Sequence, residues 1–130
     1  MSKSPKSNGK ETECAYNPAK SHTTQAALMN FIRAPVNDVD LKCVPGLGEK
    51  SVEKFHEHHI CTVTQLIGKY LMFKNDSSMT GKMLADAYFN WLSNEVKIHS
   101  HQNEIVQAIA ERCNLMIPGI YNAHEWEKST

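Results

Sequence analysis

Apolar residues recur along this chain at the spacing of an amphipathic helix, and no stretch alternates with the period of two that marks a half-buried strand. Short polar segments, several of them containing Pro or Gly, separate the apolar windows. The pattern predicts helices at about residues 24–34, 49–58, 62–73, 79–96 and 100–117, with one further helical turn at about 40–43. We therefore predict an all-α fold, a compact domain of five to six helices.

Local signals place the ends of several of these helices. Thr23 or Thr24 can cap the first helix, and Pro35 ends it because the residue before a proline disfavours the helical conformation. Thr62 opens a sequence that fits a capping box, in which the side chains of two residues satisfy backbone amides reciprocally. Ser100 is the predicted cap of the last helix.

The two ends of the chain differ in composition from the helical region. Residues 1–22 are rich in Ser, Lys, Asn and Gly and have few large apolar side chains, so they cannot offset the entropy of ordering. We predict a disordered basic tail over residues 1–22, a helical domain over 23–118 and a loose C-terminal tail over 119–130. Ser4, which precedes a proline, is a candidate phosphorylation site.

Charge is balanced over the whole chain but not along it. The sequence has 14 Lys and Arg against 14 Asp and Glu, so its formal net charge is zero. Residues 1–30 hold four lysines against two glutamates, which leaves ten basic and twelve acidic side chains for the remainder. Bulk charge therefore does not favour nucleic-acid binding, and any such contact must come from a local arrangement of donors.

No apolar run approaches the length of a membrane span, and the N-terminus lacks the apolar core of a secretory signal. We therefore expect a chain of the nucleus or cytosol, without membrane insertion. The four cysteines are scattered without a C-x-x-C pair, which favours reduced thiols, three of them partly buried, over a disulfide framework. Nothing in the sequence indicates a cofactor.

The motif Pro45-Gly46-Leu47-Gly48 carries the clearest functional signal. Two glycines around one apolar residue allow a tight hairpin with positive φ, and glycine lets the backbone approach a phosphate closely. The amides of both glycines and of the helix that opens at Glu49 would form an anion nest, to which Lys50 adds a full charge. Such a site reads phosphate geometry and not base edges. The alternative is a scaffold turn between two core helices, and the acidic residue beside the nest supports it.

Other clusters have weaker interpretations. His56, His58, His59 and Cys61 are metal-ligating types, but His58 points away from the other two histidines on a helix, which favours a solvated helix end over a metal site. No arrangement of a nucleophile with a base, and no pair of carboxylates, indicates catalysis, so we expect no enzyme activity. Trp91 is expected in the core or in a dimer interface and not in base stacking.

Taken together, residues 23–117 resemble the barrier-to-autointegration factor family, small DNA-bridging proteins of animal chromatin. The threonine pair, the hairpin and several short segments have the family's order and similar spacing. These matching segments are Thr23-Thr24, Phe31-Ile32-Arg33-Ala34-Pro35, Gly46-Leu47-Gly48-Glu49, residues 67–76, Phe89-Asn90-Trp91-Leu92 and Glu111-Arg112-Cys113.

The resemblance implies a tight homodimer that presents one hairpin per protomer and so can hold two double-stranded DNA molecules. The implied DNA-binding residues lie in the hairpin and at the start of the last helix: Gly46, Leu47, Gly48, Lys50, Ser51, His99, Ser100 and His101. It also implies a partner groove and dimer interface formed by Gly68, Tyr70, Leu71, Met72, Phe73 and Trp91. LEM-domain proteins, lamins and histones are the implied partners, and the nucleus, chromatin and nuclear envelope, with the cytoplasm as an alternative, are the implied locations. Thr23 and Thr24 match the family's regulatory phosphorylation sites.

The chain departs from the family pattern at several positions. Ala27 stands where the family has a basic residue, and a second basic position near Ser100 is also lost. His59 replaces a glycine, and an insertion lies between Asp76 and Trp91. Three hypotheses follow: a DNA-bridging chromatin protein, a dimeric protein-interaction adapter with weak or no DNA binding, and an accessory helix-hairpin-helix domain of a repair or replication factor.

Overall fold

The computed structural model describes residues 15–35 and 40–127, so the predictions for residues 1–14, Ser4 among them, and for 128–130 lie outside the described residues. Every regular element in the described part is helical, which confirms the all-α class. The α-helices there are α1 (Gln25–Arg33), α2 (Glu49–Glu57), α3 (Val63–Met72), α4 (Gly81–Trp91) and α5 (Gln102–Met116). Short 3₁₀ turns cover Pro18–Lys20, Leu41–Cys43 and Ala123–Trp126.

Helices whose ends depend on local sequence begin and end where predicted. The Thr24 hydroxyl accepts a hydrogen bond from the Ala27 amide at 3.1 Å and caps α1, which ends before Pro35. The capping box of α3 is complete. The Thr62 hydroxyl accepts a hydrogen bond from the Gln65 amide, and the Gln65 side chain accepts one from the Thr62 amide. These signals act within one helical turn, so the sequence alone is sufficient to recognise them.

The last two helices begin later than predicted. Thr80 caps α4 because its hydroxyl accepts from the Met83 amide at 3.1 Å. This helix continues beyond its last α-helical residue as a π-helical turn, Leu92–Val96. Ser100 does not cap α5: His101 is the N-cap, in the left-handed conformation with φ 62°, and its side chain makes no capping hydrogen bond.

α5 is the centre of the core, and α1, α3 and α4 pack around it. Its inward residues, which include Ile105 and Ile109, are fully buried. Arg112, also on α5, is 8% exposed and donates from Nη1 to the carbonyls of Phe31 at 2.9 Å and Ile32 at 2.6 Å. The guanidinium is the donor to the Ile32 carbonyl among the described residues, and it is a second donor to the Phe31 carbonyl, which also accepts from the Ala34 amide at 3.3 Å.

The predicted domain boundaries need correction at both ends, because residues of both supposed tails pack on the helices. Tyr16 is 2% exposed, and its hydroxyl lies 2.7 Å from the buried hydroxyl of Tyr121. The Trp126 indole donates to the Tyr16 carbonyl at 3.0 Å, and Ile120 is buried. At Gly81 a Cβ would lie 2.9 Å from the Ile120 carbonyl, so glycine permits the close approach of the C-terminal segment. The packed region therefore extends beyond residues 23–118.

The three described cysteines differ in exposure, which corrects the expectation of three partly buried thiols. Cys43 and Cys61 are exposed, and Cys113 is buried within α5. Burial raises the pKa of the Cys113 thiol to about 12. In the part of the chain that the structure describes, no helix has the length and apolarity needed to cross a membrane.

Candidate nucleic-acid interface

The hairpin between the turn at Leu41–Cys43 and α2 is a tight turn that a proline and a glycine make possible. The Leu47 amide donates to the Val44 carbonyl at 3.0 Å, which closes a four-residue turn. Pro45 occupies its second position and Gly46, with φ 94°, its third, an arrangement typical of a type II turn. Gly48 is extended with φ −105°, so of the two glycines only Gly46 uses the positive φ that the motif allows.

The start of α2 presents backbone amides without internal partners. Gly48 is the N-cap and has no side chain to accept a hydrogen bond. Among the described residues, no acceptor receives the amide protons of Gly48, Glu49, Lys50 or Ser51. Lys50 is exposed and Ser51 half-buried at the same end of the helix. The arrangement fits an anion contact, although the carboxylate of Glu49 lies in the same first turn.

The start of α5 lies against this hairpin. A Cβ at Gly46 would be 2.9 Å from the Glu104 Cβ and 3.2 Å from the His101 carbonyl oxygen. The backbone of the hairpin therefore touches the first turn of α5, which also lacks a side-chain cap. His99, Ser100 and His101 are all exposed there. Two segments more than 50 residues apart, both predicted to contact DNA, thus form one continuous surface.

A pocket of about 340 Å³ lies where this surface meets the start of α1. Its lining includes Thr23, Thr24, Ala27, Gly46 and His101. Ala27 is exposed here and brings no charge, whereas the family resemblance implies a basic residue at this position. Lys50 is not among the lining residues, so the described lining of the pocket contains no lysine or arginine.

One carboxylate lies inside the same pocket. Glu104 is only 8% exposed, and its Oε2 accepts a hydrogen bond from the His22 amide at 2.9 Å. Its Oε1 lies 3.8 Å from His101 Nδ1, so a protonated imidazole there would form an ion pair. Neither His22 nor Glu104 was among the predicted site residues. An acidic residue in a first turn predicts only a favourable helix dipole interaction, and its place beside the hairpin depends on tertiary packing.

The two predicted phosphorylation sites at the start of α1 differ in access. Thr24 is exposed, and its hydroxyl is the cap of the helix. Thr23 is half-buried, and its Oγ1 is buried without a hydrogen-bond partner in the described part of the molecule. A kinase could therefore reach the Thr24 hydroxyl without rearrangement, whereas the Thr23 hydroxyl must first become exposed.

The residues of the predicted partner groove divide between surface and core. Tyr70 is fully buried, with its ring 4.8 Å from that of Tyr88, so it supports the surface from below and does not belong to it. Trp91 is 7% exposed and also belongs mainly to the core. Met72 is 74% exposed, while Gly68, Leu71 and Phe73 are half-buried.

A shallow pocket of about 290 Å³ lies at this end of α3. Lys69, Phe73 and Trp91 are among its lining residues. The Lys69 ammonium is 5.4 Å from the Phe73 ring centre and 5.2 Å from that of Trp91, distances that allow cation–π attraction. Its lining is of mixed polarity, since Asn90, Asn94 and Glu95 complete it together with Ala87.

Three histidines lie in the last turn of α2 and directly after it. His56, His58, His59 and Cys61 are all exposed, and within the described ranges no group of three or more potential ligands converges. His59 has φ 66°, so it adopts the left-handed conformation for which the family pattern has glycine. Histidine enters this region more readily than most residues, which explains its tolerance at the end of the helix.

The comparisons with known proteins give one result. The family model described as barrier to autointegration factor matches residues 21–116. The comparisons with curated proteins and with solved structures found no match. The matched region contains the hairpin, the starts of α1 and α5, and all five α-helices. Because this match covers well over half of the 130 residues, the chain belongs to the barrier-to-autointegration factor family.

Proposed function

We propose that this chain binds double-stranded DNA without reading its sequence and, as a homodimer, bridges two duplexes. The observation that carries this proposal is the contact of Gly46 with the first turn of α5, which joins two uncapped helix starts into one surface. The proposed DNA contacts are the hairpin and first-turn residues Gly46, Leu47, Gly48, Lys50, Ser51, His99, Ser100 and His101. Leu47 contributes as the buried anchor of the turn.

Membership in the family indicates a DNA-binding, chromatin-associated and non-enzymatic function in general terms. The proposed mechanism goes further and rests on backbone chemistry. Amide protons at a helix start attract phosphate oxygens, and the helix dipole adds a partial positive charge. Backbone amides cannot distinguish bases, because the phosphate is the same at every step of the duplex.

Dimerisation would make such weak contacts effective. A nonspecific DNA contact has a Kd of roughly 10⁻⁴–10⁻⁶ M at physiological salt. Linking two binding sites raises the overall avidity by about 10²–10⁴ when both can engage. A homodimer with two hairpins could therefore hold two duplexes at concentrations where one protomer would hold neither.

We further propose that the dimer links chromatin to partners at the nuclear envelope. The family resemblance implies LEM-domain proteins, lamins and histones as candidates. The surface formed by Gly68, Leu71, Met72 and Phe73 supports a protein contact, because Met72 is 74% exposed and Phe73 lines the pocket that also contains Lys69. Exposed apolar groups next to a pocket are typical of protein–protein contacts.

Phosphorylation at Thr23 or Thr24 is proposed as the regulator of DNA binding. Both residues line the pocket that also contains Gly46. A phosphate on either hydroxyl would carry about −1.5 to −2 charges at neutral pH and would repel the DNA backbone. Thr24 is the more accessible of the two.

Sedimentation of the purified full chain, with and without a short random-sequence duplex, tests dimerisation and DNA binding together. We expect a dimer that sediments faster with any duplex, whatever its sequence, and that loses binding as salt increases. Bridging is tested by capture of a labelled duplex on an immobilised one. A monomer without duplex affinity at low salt would contradict the proposal.

The pocket carboxylate favours a second candidate function, a dimeric adapter that binds LEM-domain-type proteins and has little DNA affinity. Glu104 places a negative charge beside the proposed phosphate contacts, and Ala27 offers no compensating base. The variant Glu104→Gln keeps the acceptor for the His22 amide and removes the charge. If the chain binds DNA, we expect this variant to bind more tightly, as measured by fluorescence anisotropy. Unchanged, negligible DNA binding in both forms, with capture of a LEM domain, would support the adapter.

A further inference from the structure

Residues 15–22 form a strap that runs along the start of α5. Residues 15–20 of this strap precede the region that the family model matches. Three hydrogen bonds tie the strap to side chains in the first two turns of α5. The Asn17 amide donates to Asn103 Oδ1 at 2.9 Å, and the Ser21 hydroxyl donates to Gln107 Oε1 at 2.6 Å. The third bond, from the His22 amide to Glu104, closes the strap at its end.

The other end of the strap is held by the C-terminal segment and by α4. The Tyr16 amide donates to Asp86 Oδ1 at 3.1 Å, and its ring packs edge-on against Trp126 with ring centres 5.2 Å apart. Since the strap is anchored at Tyr16 and again at His22, the 3₁₀ turn Pro18–Lys20 between these anchors has a defined position. Lys20, the last residue of that turn, is exposed.

Lys20 lies at the edge of the proposed DNA surface. It lines a pocket of about 230 Å³ together with His99, Gln102 and Asn103, and the other lining residues are Ala15 and Phe89. No carboxylate is among these lining residues, in contrast to the neighbouring pocket that contains Glu104. The amides of Gln102 and Asn103 open α5 and have no acceptor among the described residues.

We propose that the strap is part of the nucleic-acid interface and that Lys20, with His99, contacts a backbone phosphate beside the hairpin. The inference rests on the proposed function and adds a contact that the family match, which begins at residue 21, does not contain. It restores a cation to a surface where Ala27 brings none. Because the strap is anchored on both sides of Lys20, little backbone entropy remains to be lost when its side chain meets the phosphate.

The test compares salt titrations of duplex binding by the full-length chain and its variants, measured by fluorescence anisotropy with a random-sequence duplex. Lys20→Gln should weaken binding by about two- to fivefold, the range of one exposed charge pair. It should also reduce the slope of log K against log salt by about 0.9, the value for one lost phosphate contact. Lys20→Arg should keep both quantities near those of the unmodified chain.

Lys74→Gln is the matched control. Lys74 is also exposed, and its Nζ donates to the Met79 carbonyl in the connection between α3 and α4, away from the strap. Binding that falls for Lys20→Gln and not for Lys74→Gln supports the inference. Equal losses in both variants would indicate bulk charge and would overturn it.

The result also separates this inference from the proposed function. If Lys20→Gln binds like the unmodified chain while the hairpin variant Gly48→Asp loses binding, the strap contact is wrong and the hairpin contact stands. If the unmodified chain binds no duplex at low salt, both are wrong. Lys20 makes no side-chain hydrogen bond within the described part, so thermal unfolding should be the same for all Lys20 variants.

Discussion

Gly48→Asp should stabilise the fold and weaken DNA binding at the same time. Gly48 has φ −105° and ψ −174°, which any residue adopts, and a Cβ there would meet no atom within 4 Å. An aspartate at this N-cap could accept a hydrogen bond from a free amide of the first turn of α2. The same carboxylate would occupy the place where we expect a DNA phosphate.

The stability gain can be estimated from three small contributions. An acidic cap interacts favourably with the helix dipole by about 0.3–1 kcal/mol, and replacing glycine restricts the unfolded chain by about 0.4–1 kcal/mol. The capping bond adds a few tenths, and repulsion from Glu49 offsets part of the sum. A net gain of about 1 kcal/mol should raise the melting temperature by about 4 °C in a domain of this size.

The loss of DNA affinity should be larger. Two like charges about 4 Å apart repel by about 1 kcal/mol in water and about 4 kcal/mol near a protein surface. We therefore expect at least about a fivefold loss of affinity per hairpin, measured by fluorescence anisotropy at constant salt, and a greater loss of bridging because both hairpins of a dimer carry the change.

Two controls separate charge from position. Gly48→Asn supplies a similar cap without the charge, so it should stabilise the fold and weaken binding less. Ser77→Asp adds the same charge in the exposed connection between α3 and α4, outside the proposed DNA surface and partner groove, and should leave duplex binding unchanged. A Gly48→Asp chain that melts higher and binds duplex within about twofold of the unmodified chain would refute the hairpin contact. Gly46 is not suitable for this test, because its positive φ and contact with α5 would destabilise any variant.

Three further predictions concern the fold itself. Arg112→Met should lower the free energy of unfolding by about 1–3 kcal/mol, measured by urea denaturation, because it removes the described donor to the buried Ile32 carbonyl and one of two donors to the Phe31 carbonyl. An unchanged midpoint would contradict this role. Burial raises the pKa of the Asp86 carboxyl, so its ionisation costs stability as the pH rises above the ordinary aspartate value. Asp86→Asn keeps an acceptor for the strap, and its gain in melting temperature should therefore grow from acid to neutral pH, whereas a gain that is constant with pH would count against the reasoning. The Cys113 thiol is buried and its pKa is raised, whereas Cys43 and Cys61 are exposed. A thiol reagent should therefore modify Cys43 and Cys61 rapidly in the native protein and Cys113 only after unfolding. Mass spectrometry of the labelled peptides can check this order.

The limits of sequence reasoning are clearest at the start of α5. Ser100 has the chemistry of a helix cap and was predicted as one, yet His101 takes that place in a left-handed conformation. The π-helical turn before it, Leu92–Val96, and the left-handed Lys97 redirect the chain between α4 and α5. Local preference favoured serine, but the path of the backbone through these residues decided which one precedes the helix.

Exposure was another property that the residue types did not decide. Tyr70 lies within a segment resembling the family's partner groove, but its ring points into the core against Tyr88. Residues 119–127 have the composition of a loose end, yet Tyr121 and Trp126 pack on Tyr16. Hydrophobic pattern shows that a side chain prefers burial, and only the packed helices show where burial is available.

By itself, the sequence determined the helices, several of their caps and the glycine hairpin, because each depends on residues within one or two turns of chain. The tertiary structure alone decided that Gly46 touches the first turn of α5, that Glu104 lies in the pocket beside it, and that the strap brings Lys20 to the same surface. The contacts that make this surface join residues from about 50 to more than 80 positions apart along the chain. Their pairing is set by how helices pack around α5, a property that no local pattern encodes.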